Sequence, residues 1–273
     1  MPEQYLLLVL LGIAVGVFGT LIGAGGGVIL IPVLLLLYPE QSPEIITGIS
    51  LAVVFFNSLS GSVAYAGMKR IDYQAGSRFA LATIPGAVLG VLTIQYIPRQ
   101  LFEVFFGLFM IATALFLFLK PGKAQRQDNK PRGYNTTTVI VDSLGQNYTY
   151  SYNPYTGILL SFLTGYISSV LGIGGGIIHV PILVHLLNFP AHIATATSHF
   201  VLVVSSLTGT LVHVVSNQLA KAAALIIALS IGVILGAQLG ARFSSRVKDH
   251  SIMRLLALTL GAAGLRILIM AFR

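Results

Sequence analysis

A glycine cluster embedded in apolar sequence occurs twice in this chain, and it limits what the chain can become. The first copy is LIGAGGGVILIPVLLLL, residues 21–37, and the second is VLGIGGGIIHVPILVHLL, residues 170–187. Both fit G-x-G-G-G-(x)4-P: Gly23, Gly25, Gly26, Gly27 and Pro32, then Gly172, Gly174, Gly175, Gly176 and Pro181. Each helix-interior glycine costs about 1 kcal/mol relative to alanine, so four within five positions predict a break rather than a continuous helix. Broken hydrophobic segments at matching places in two halves are the sequence pattern expected around the binding site of a membrane carrier.

The surroundings of the clusters exclude a soluble domain. Only 9% of the 273 residues are charged and 55% are hydrophobic, with mean hydropathy +0.88, where a soluble domain carries about 25% charged residues. Apolar stretches at 5–38, 45–67, 73–97, 101–119, 155–188, 191–216, 221–241 and 251–271 approach the roughly 20 residues needed to cross a bilayer as helix. The first stretch has no basic leader and runs into glycines rather than a cleavage site, so it is not a signal peptide. With no cysteine, disulfides and thiolate metal sites are excluded. The net charge of +8 is not a nucleic-acid signature, because its distribution follows membrane orientation instead.

The chain divides at one polar stretch. Residues 1–119 form a first transmembrane repeat, 120–154 a linker with a possible β-hairpin around Asp142–Asn147, and 155–273 a second repeat. The halves align at an offset of 149, falling to 146. Thr47, Ser50, Asn57, Ser58 and Gly61 match Thr195, Ser198, Ser205, Ser206 and Gly209, and PGAVLG (85–90) matches IGVILG (231–236). The expectation is an all-α integral membrane protein of two inverted repeats, each a glycine-broken V-shaped helical hairpin plus three transmembrane helices. Charge sets the orientation. With this parity Lys69, Arg70, Arg78, the linker residues Lys120, Lys123, Arg126, Lys130 and Arg132, and Arg242, Arg246 and Lys248 share one face. The positive-inside rule makes that face cytoplasmic and places both termini outside.

The candidate site follows from helix ends. A helix N-terminus leaves N–H groups unpaired and carries partial positive charge, and glycine lets a ligand approach that backbone. Gly23, Gly25, Gly26, Gly27, Gly172, Gly174, Gly175 and Gly176 are therefore expected to bind a small anion. Ser50, Asn57, Thr197, Ser198 and Ser205 would add neutral donors along helix faces. The alternative for the glycines is close helix packing, and for the hydroxyls bonding to their own helix carbonyls. Intramembrane His199, His213 and His179 are candidates for coupling to protons; a neutral histidine bonded to a carbonyl is the competing role. No metal site, cofactor pattern or nucleophile–base–acid set stands out, which disfavours an enzyme. The GAGGG and GIGGG runs lack the strand and the ribose-binding acid of a dinucleotide site.

These residues resemble the sulfite exporter TauE/SafE family, also called the toluenesulfonate uptake permeases. The resemblance rests on the paired glycine motifs, ATATSHF (194–200), the G-x3-H of Gly209 to His213, and GAQLGARFS (236–244), and it covers the chain apart from 120–154. It implies a secondary transporter of the cytoplasmic membrane for sulfite, sulfoacetate or other organosulfonates, in the export direction and with protons as a candidate coupling ion. A non-transporting scaffold or assembly factor is the alternative. In the first half GISLAVV (48–54) stands where the second has the TSHF pattern, so the two half-sites are expected to be chemically unequal.

Overall fold

The computed structural model describes residues 2–119, 136–216, 219–244 and 249–272. Ten helices and one hairpin follow in order: α1 (Pro2–Ile22), α2 (Gly27–Leu37), α3 (Pro43–Gly67), α4 (Tyr73–Ile94), α5 (Arg99–Leu119), β1 (Thr136–Val141), β2 (Asn147–Tyr152), α6 (Pro154–Leu171), α7 (Gly176–His185), α8 (Ala191–Val215), α9 (Ala223–Phe243) and α10 (Asp249–Ala271). Among the described residues seven helices, α1, α3, α4, α5, α6, α8 and α9, are long and apolar enough to cross a membrane. The protein is an all-α multi-pass membrane protein. The basic residues Lys120, Lys123, Arg126, Lys130, Arg132, Arg246 and Lys248 lie outside the described residues.

Both long apolar stretches break at their glycines. The arms are unequal: 21 residues in α1 against 11 in α2, and 18 in α6 against 10 in α7. At 1.5 Å per residue the second arms reach only about half a bilayer. Helix starts elsewhere are set by local chemistry. Ser42 and Asn153 each cap a helix that has proline at its first position, and Asp72 Oδ1 accepts the Ala75 N–H at 2.9 Å.

The helix pairings form a reciprocal set. α1 packs on α9 and α6 on α4, α3 on α9 and α8 on α4, α3 on α8, and α5 on α10. Exchanging α1–α5 with α6–α10 leaves this set unchanged. Within it α3 and α8 run antiparallel, since Gly48 meets His213, Gly209 meets Leu51 and Gly61 meets His199. The α5–α10 pair is antiparallel too, with Gly107 against Leu268 and Ala114 against Gly261. Small residues let the backbones touch. A Cβ at Gly232 would strike the Val9 carbonyl, and one at Gly86 the Phe162 carbonyl; these are the matched glycines of IGVILG and PGAVLG.

The linker carries the hairpin read from the sequence. β1 and β2 pair antiparallel with Thr136 opposite Tyr152 and Val141 opposite Asn147. Asp142 Oδ1 accepts the Leu144 and Gln146 N–H groups at 2.9 and 3.0 Å and shapes the turn. Burial opposes ionisation of Asp142. The Gln146 and Leu144 amides and the Arg70 guanidinium outweigh it and hold the carboxyl below its usual value.

Candidate functional site

The two glycine loops meet at the centre of the molecule, each embedded in the opposite half. Gly23, Gly25 and Gly26 adopt φ of 78°, 71° and 86°, and Gly172, Gly174 and Gly175 adopt 68°, 75° and 92°. This left-handed backbone turns each chain sharply into its short helix at a conformation only glycine adopts freely. A Cβ on Gly27 would lie 2.8 Å from Ile173 Cα, and one on Gly176 would overlap the Gly23 carbonyl. The loops also lean on the opposite half's helix, Gly172 against Thr47 in α3 and Gly23 against Thr195 in α8. Ser50 donates to the Gly172 carbonyl at 2.7 Å, and Ser198 reaches the Gly23 carbonyl at 3.5 Å. Ser50 therefore finishes the other half's loop, and Ser198 reaches its counterpart only at the outer limit of a hydrogen bond.

The short helices start without side-chain caps. Ile29 and Leu30 donate to the Gly26 carbonyl, and Ile178 and His179 to that of Gly175. Among the described residues the N–H groups of Gly27, Val28, Gly176 and Ile177 have no acceptor. Two uncapped N-termini thus converge, each carrying roughly half a positive charge.

Beside the loops, α1 and α3 of the first half and α8 of the second enclose a buried polar cluster. Thr20 donates to Asn57 Oδ1 at 3.3 Å, and the Tyr65 hydroxyl donates to the Thr20 carbonyl at 3.0 Å. The His199 ring stands edge-on to Tyr65 at 5.3 Å and fills the space that Gly61 leaves open. Asn57 Nδ2, Ser58 Oγ and His199 Nε2 are buried without a partner. Such groups are costly unless satisfied. His199 Nδ1 lies 3.2 Å from the Thr195 carbonyl, so geometry assigns its proton to Nδ1 and leaves Nε2 as an acceptor while the ring is neutral.

The second half repeats the positions with fewer donors. Ser169 and Ser205 are the matched pair to Thr20 and Asn57, and both hydroxyls are buried without a partner. Leu51 of α3 takes the place equivalent to that of His199, against Gly209 at 2.8 Å from its Cβ position. His213 occupies the position of Tyr65, buried against Gly48.

Two sequence candidates sit elsewhere. Thr197 accepts the Asp72 N–H at 3.0 Å, on the face of α8 turned to the start of α4. His179 contacts Ser161 at 3.2 Å and the edge of Phe79, among α4, α6 and α7. Other hydroxyls follow the helix-bonding alternative: Thr47, Thr208 and Thr210 donate to carbonyls of their own helices. Glu103 is buried and paired with Arg99 at 2.6 Å, away from the loops. Sequence reasoning missed Thr20 and Tyr65 as partners of the cluster. The match of Thr20 to Ser169 at the 149 offset was the signal available.

The profile of the family described as Sulfite exporter TauE/SafE matches residues 8–267, nearly the whole chain. The chain belongs to this TauE/SafE family. Probable membrane transporter protein YunE of Bacillus subtilis is 36% identical over 230 residues, covering 82% of this chain and 83% of that protein. A probable membrane transporter protein of Methanocaldococcus jannaschii is 28% identical over 216 residues, 77% and 73% of the two chains. One from Xylella fastidiosa is 30% identical over 189 residues, 69% and 64%. No solved structure matches the chain. The protein is a membrane transporter by family, and the relatives' names carry no substrate.

Proposed function

We propose that this TauE/SafE protein is a secondary transporter that exports a small sulfur-containing anion (sulfite, sulfoacetate or another organosulfonate) across the cytoplasmic membrane. The observation that carries the proposal is the buried set of Asn57 Nδ2, Ser58 Oγ and His199 Nε2 beside two uncapped helix N-termini. An oxyanion offers several acceptors to the Asn57 amide and the Ser58 hydroxyl, and the helix ends favour its charge without a fixed counter-ion. His199 supports proton coupling. With Nδ1–H directed at the Thr195 carbonyl, Nε2 becomes a donor only when the ring is protonated, so anion and proton would bind together.

Antiparallel packing of α3 on α8 and of α5 on α10 supports inverted repeats, with the linker cytoplasmic and both termini outside. The scaffold alternative draws on the flush packing of Gly27 and Gly176 and on the engagement of Ser50 and Ser198 with loop carbonyls. Proteoliposomes decide between them. Saturable flux of sulfite or a sulfonate, reduced at least about tenfold by Asn57→Ala, supports the transporter. Absence of flux and of thermal stabilisation across sulfite, sulfonates, sulfate and carboxylates refutes it.

A further inference from the structure

The repeat relates an open cavity on one side of the molecule to a filled one on the other. A cavity of about 730 Å³ opens between α1, α2, α3 and the start of α9, lined in part by Leu8, Tyr38, Ile45, Ile49 and Leu225. The sequence offset carries these residues to the second half. An offset of 149 takes Leu8 to Gly157 and Tyr38 to Leu187, 148 takes Ile45 to Ile193 and Ile49 to Thr197, and −146 takes Leu225 to Phe79. Those counterparts lie around a packed aromatic core instead of a cavity. Gly157 is flush with Phe79 and Leu187. Tyr150 and Tyr152 of the hairpin pack against Phe189 with tilted rings at 4.5 and 5.0 Å, and Tyr152 stands edge-on to Phe79 at 6.0 Å. Leu187, Phe189, Tyr150 and Tyr152 are all buried.

The hairpin is held there by one short segment between α3 and α4. The Tyr150 hydroxyl donates to Asp72 Oδ2 at 2.6 Å, Arg70 pairs with Asp142 at 3.1 Å, and the Ser143 N–H donates to the Met68 carbonyl at 3.0 Å. The same segment reaches the candidate site's helix, because the Asp72 N–H donates to Thr197, next to Ser198 and His199. A change in α8 therefore bears directly on the segment that holds the hairpin.

We propose that the hairpin is the linker-side gate of the transport path. In this state it plugs the second-half vestibule while the equivalent first-half vestibule stands open, and its release from residues 68–72 opens the linker side. The inference rests on the transporter reading, and the test separates the two. The chain has no cysteine, so introduced thiols report alone. In Met68→Cys/Ser143→Cys, residues already joined through their backbones come within reach of a disulfide. Oxidation is expected to stop flux, and reduction to restore it. Independently of any substrate, Leu187→Cys is treated with a membrane-impermeant thiol reagent from the linker side. Its labelling should rise about tenfold when Tyr150→Phe removes the hydrogen bond to the Asp72 carboxylate. Equal flux in oxidised and reduced protein, or labelling that Tyr150→Phe leaves unchanged, would overturn the gate. Should the reduced protein move none of the anions, the transporter reading fails and the labelling result alone decides the gate.

Discussion

Ser50 and Ser198 occupy equivalent positions, yet their alanine variants should behave differently. Ser50 is fully buried, and its hydroxyl donates to the Gly172 carbonyl at 2.7 Å. Removing one oxygen leaves a space below the roughly 10–15 Å³ a water needs, so that carbonyl would remain dry and unpaired. The average interhelical hydrogen bond in a bilayer protein contributes about 0.6 kcal/mol, but a buried group left without a partner costs about 1–3. Ser50→Ala should therefore destabilise by about 1–2 kcal/mol. Ser198 meets the Gly23 carbonyl at 3.5 Å, the outer limit of a useful hydrogen bond, so Ser198→Ala should cost less than about 0.6 kcal/mol. On the transporter reading Ser198 is left to donate to a ligand, so its variant should lose flux while unfolding normally. For Ser50→Ala the flux loss should follow stability and recover on cooling. Unfolding in one detergent, paired with proteoliposome flux at two temperatures, measures both. A Ser50→Ala protein as stable as the native one, or Ser198→Ala as the less stable variant, would refute this reasoning.

Gly176→Ala should destabilise by about 1–3 kcal/mol through overpacking, because its Cβ overlaps the Gly23 carbonyl. Gly67→Ala, whose Cβ meets nothing within 4 Å, should leave the melting temperature unchanged or raise it slightly. His199→Gln and His213→Gln, separately and together, should flatten the dependence of transport on pH between about 5.5 and 8, with His199 dominant because it stands against Tyr65 and Gly61 in the cluster of Thr20 and Asn57; a native profile in the double variant would exclude histidine coupling. Asp142 titrates below its usual range when folded, so its contribution to hairpin docking is complete above the unfolded value of about 3.9. It should be lost as pH falls through the lower folded value, seen as a change in tyrosine fluorescence on acidification that Asp142→Asn, with no carboxyl to titrate at this position, does not show.

The helices, the breaks and the hairpin were legible because each rests on local chemistry. Four glycines in five positions cannot continue a helix, and alternating Thr, Val and Tyr around an Asp-initiated turn favours strand pairing. The match of PGAVLG to IGVILG was visible, but its cause was not. Gly86 and Gly232 are small because each lies against a carbonyl of another helix, and that is tertiary information. The candidate site was given as a list of residue types and not as an arrangement. Thr197 and Ser198 are adjacent in sequence yet serve different neighbours, one the start of α4 and the other the opposite half's glycine loop. Helical periodicity separates those faces but does not say which faces the loops.

The unequal halves bear on where an anion would rest. A perfect two-fold would place equal donors on both sides of the glycine loops and give the anion no preference. With Leu51 as the counterpart of His199 and Ser205 as that of Asn57, the side of Gly209 lacks the imidazole and the amide found on the side of Gly61. Asn57 Nδ2, Ser58 Oγ and His199 Nε2 are unpartnered on the one side and the Ser169 and Ser205 hydroxyls on the other, and Val54 and Leu202 lie against Gly25. On the transporter reading, the polar head of a ligand is expected at Thr20, Asn57, Ser58 and His199, and its carbon end on the side of Leu51. An organosulfonate has both parts, whereas sulfite has only the head. Competition settles the point. If sulfoacetate displaces sulfite with a lower Kd in the native protein, and Leu51→Asn reverses the order, the half-site difference sets specificity; equal ratios in both proteins would assign it to the glycine loops alone.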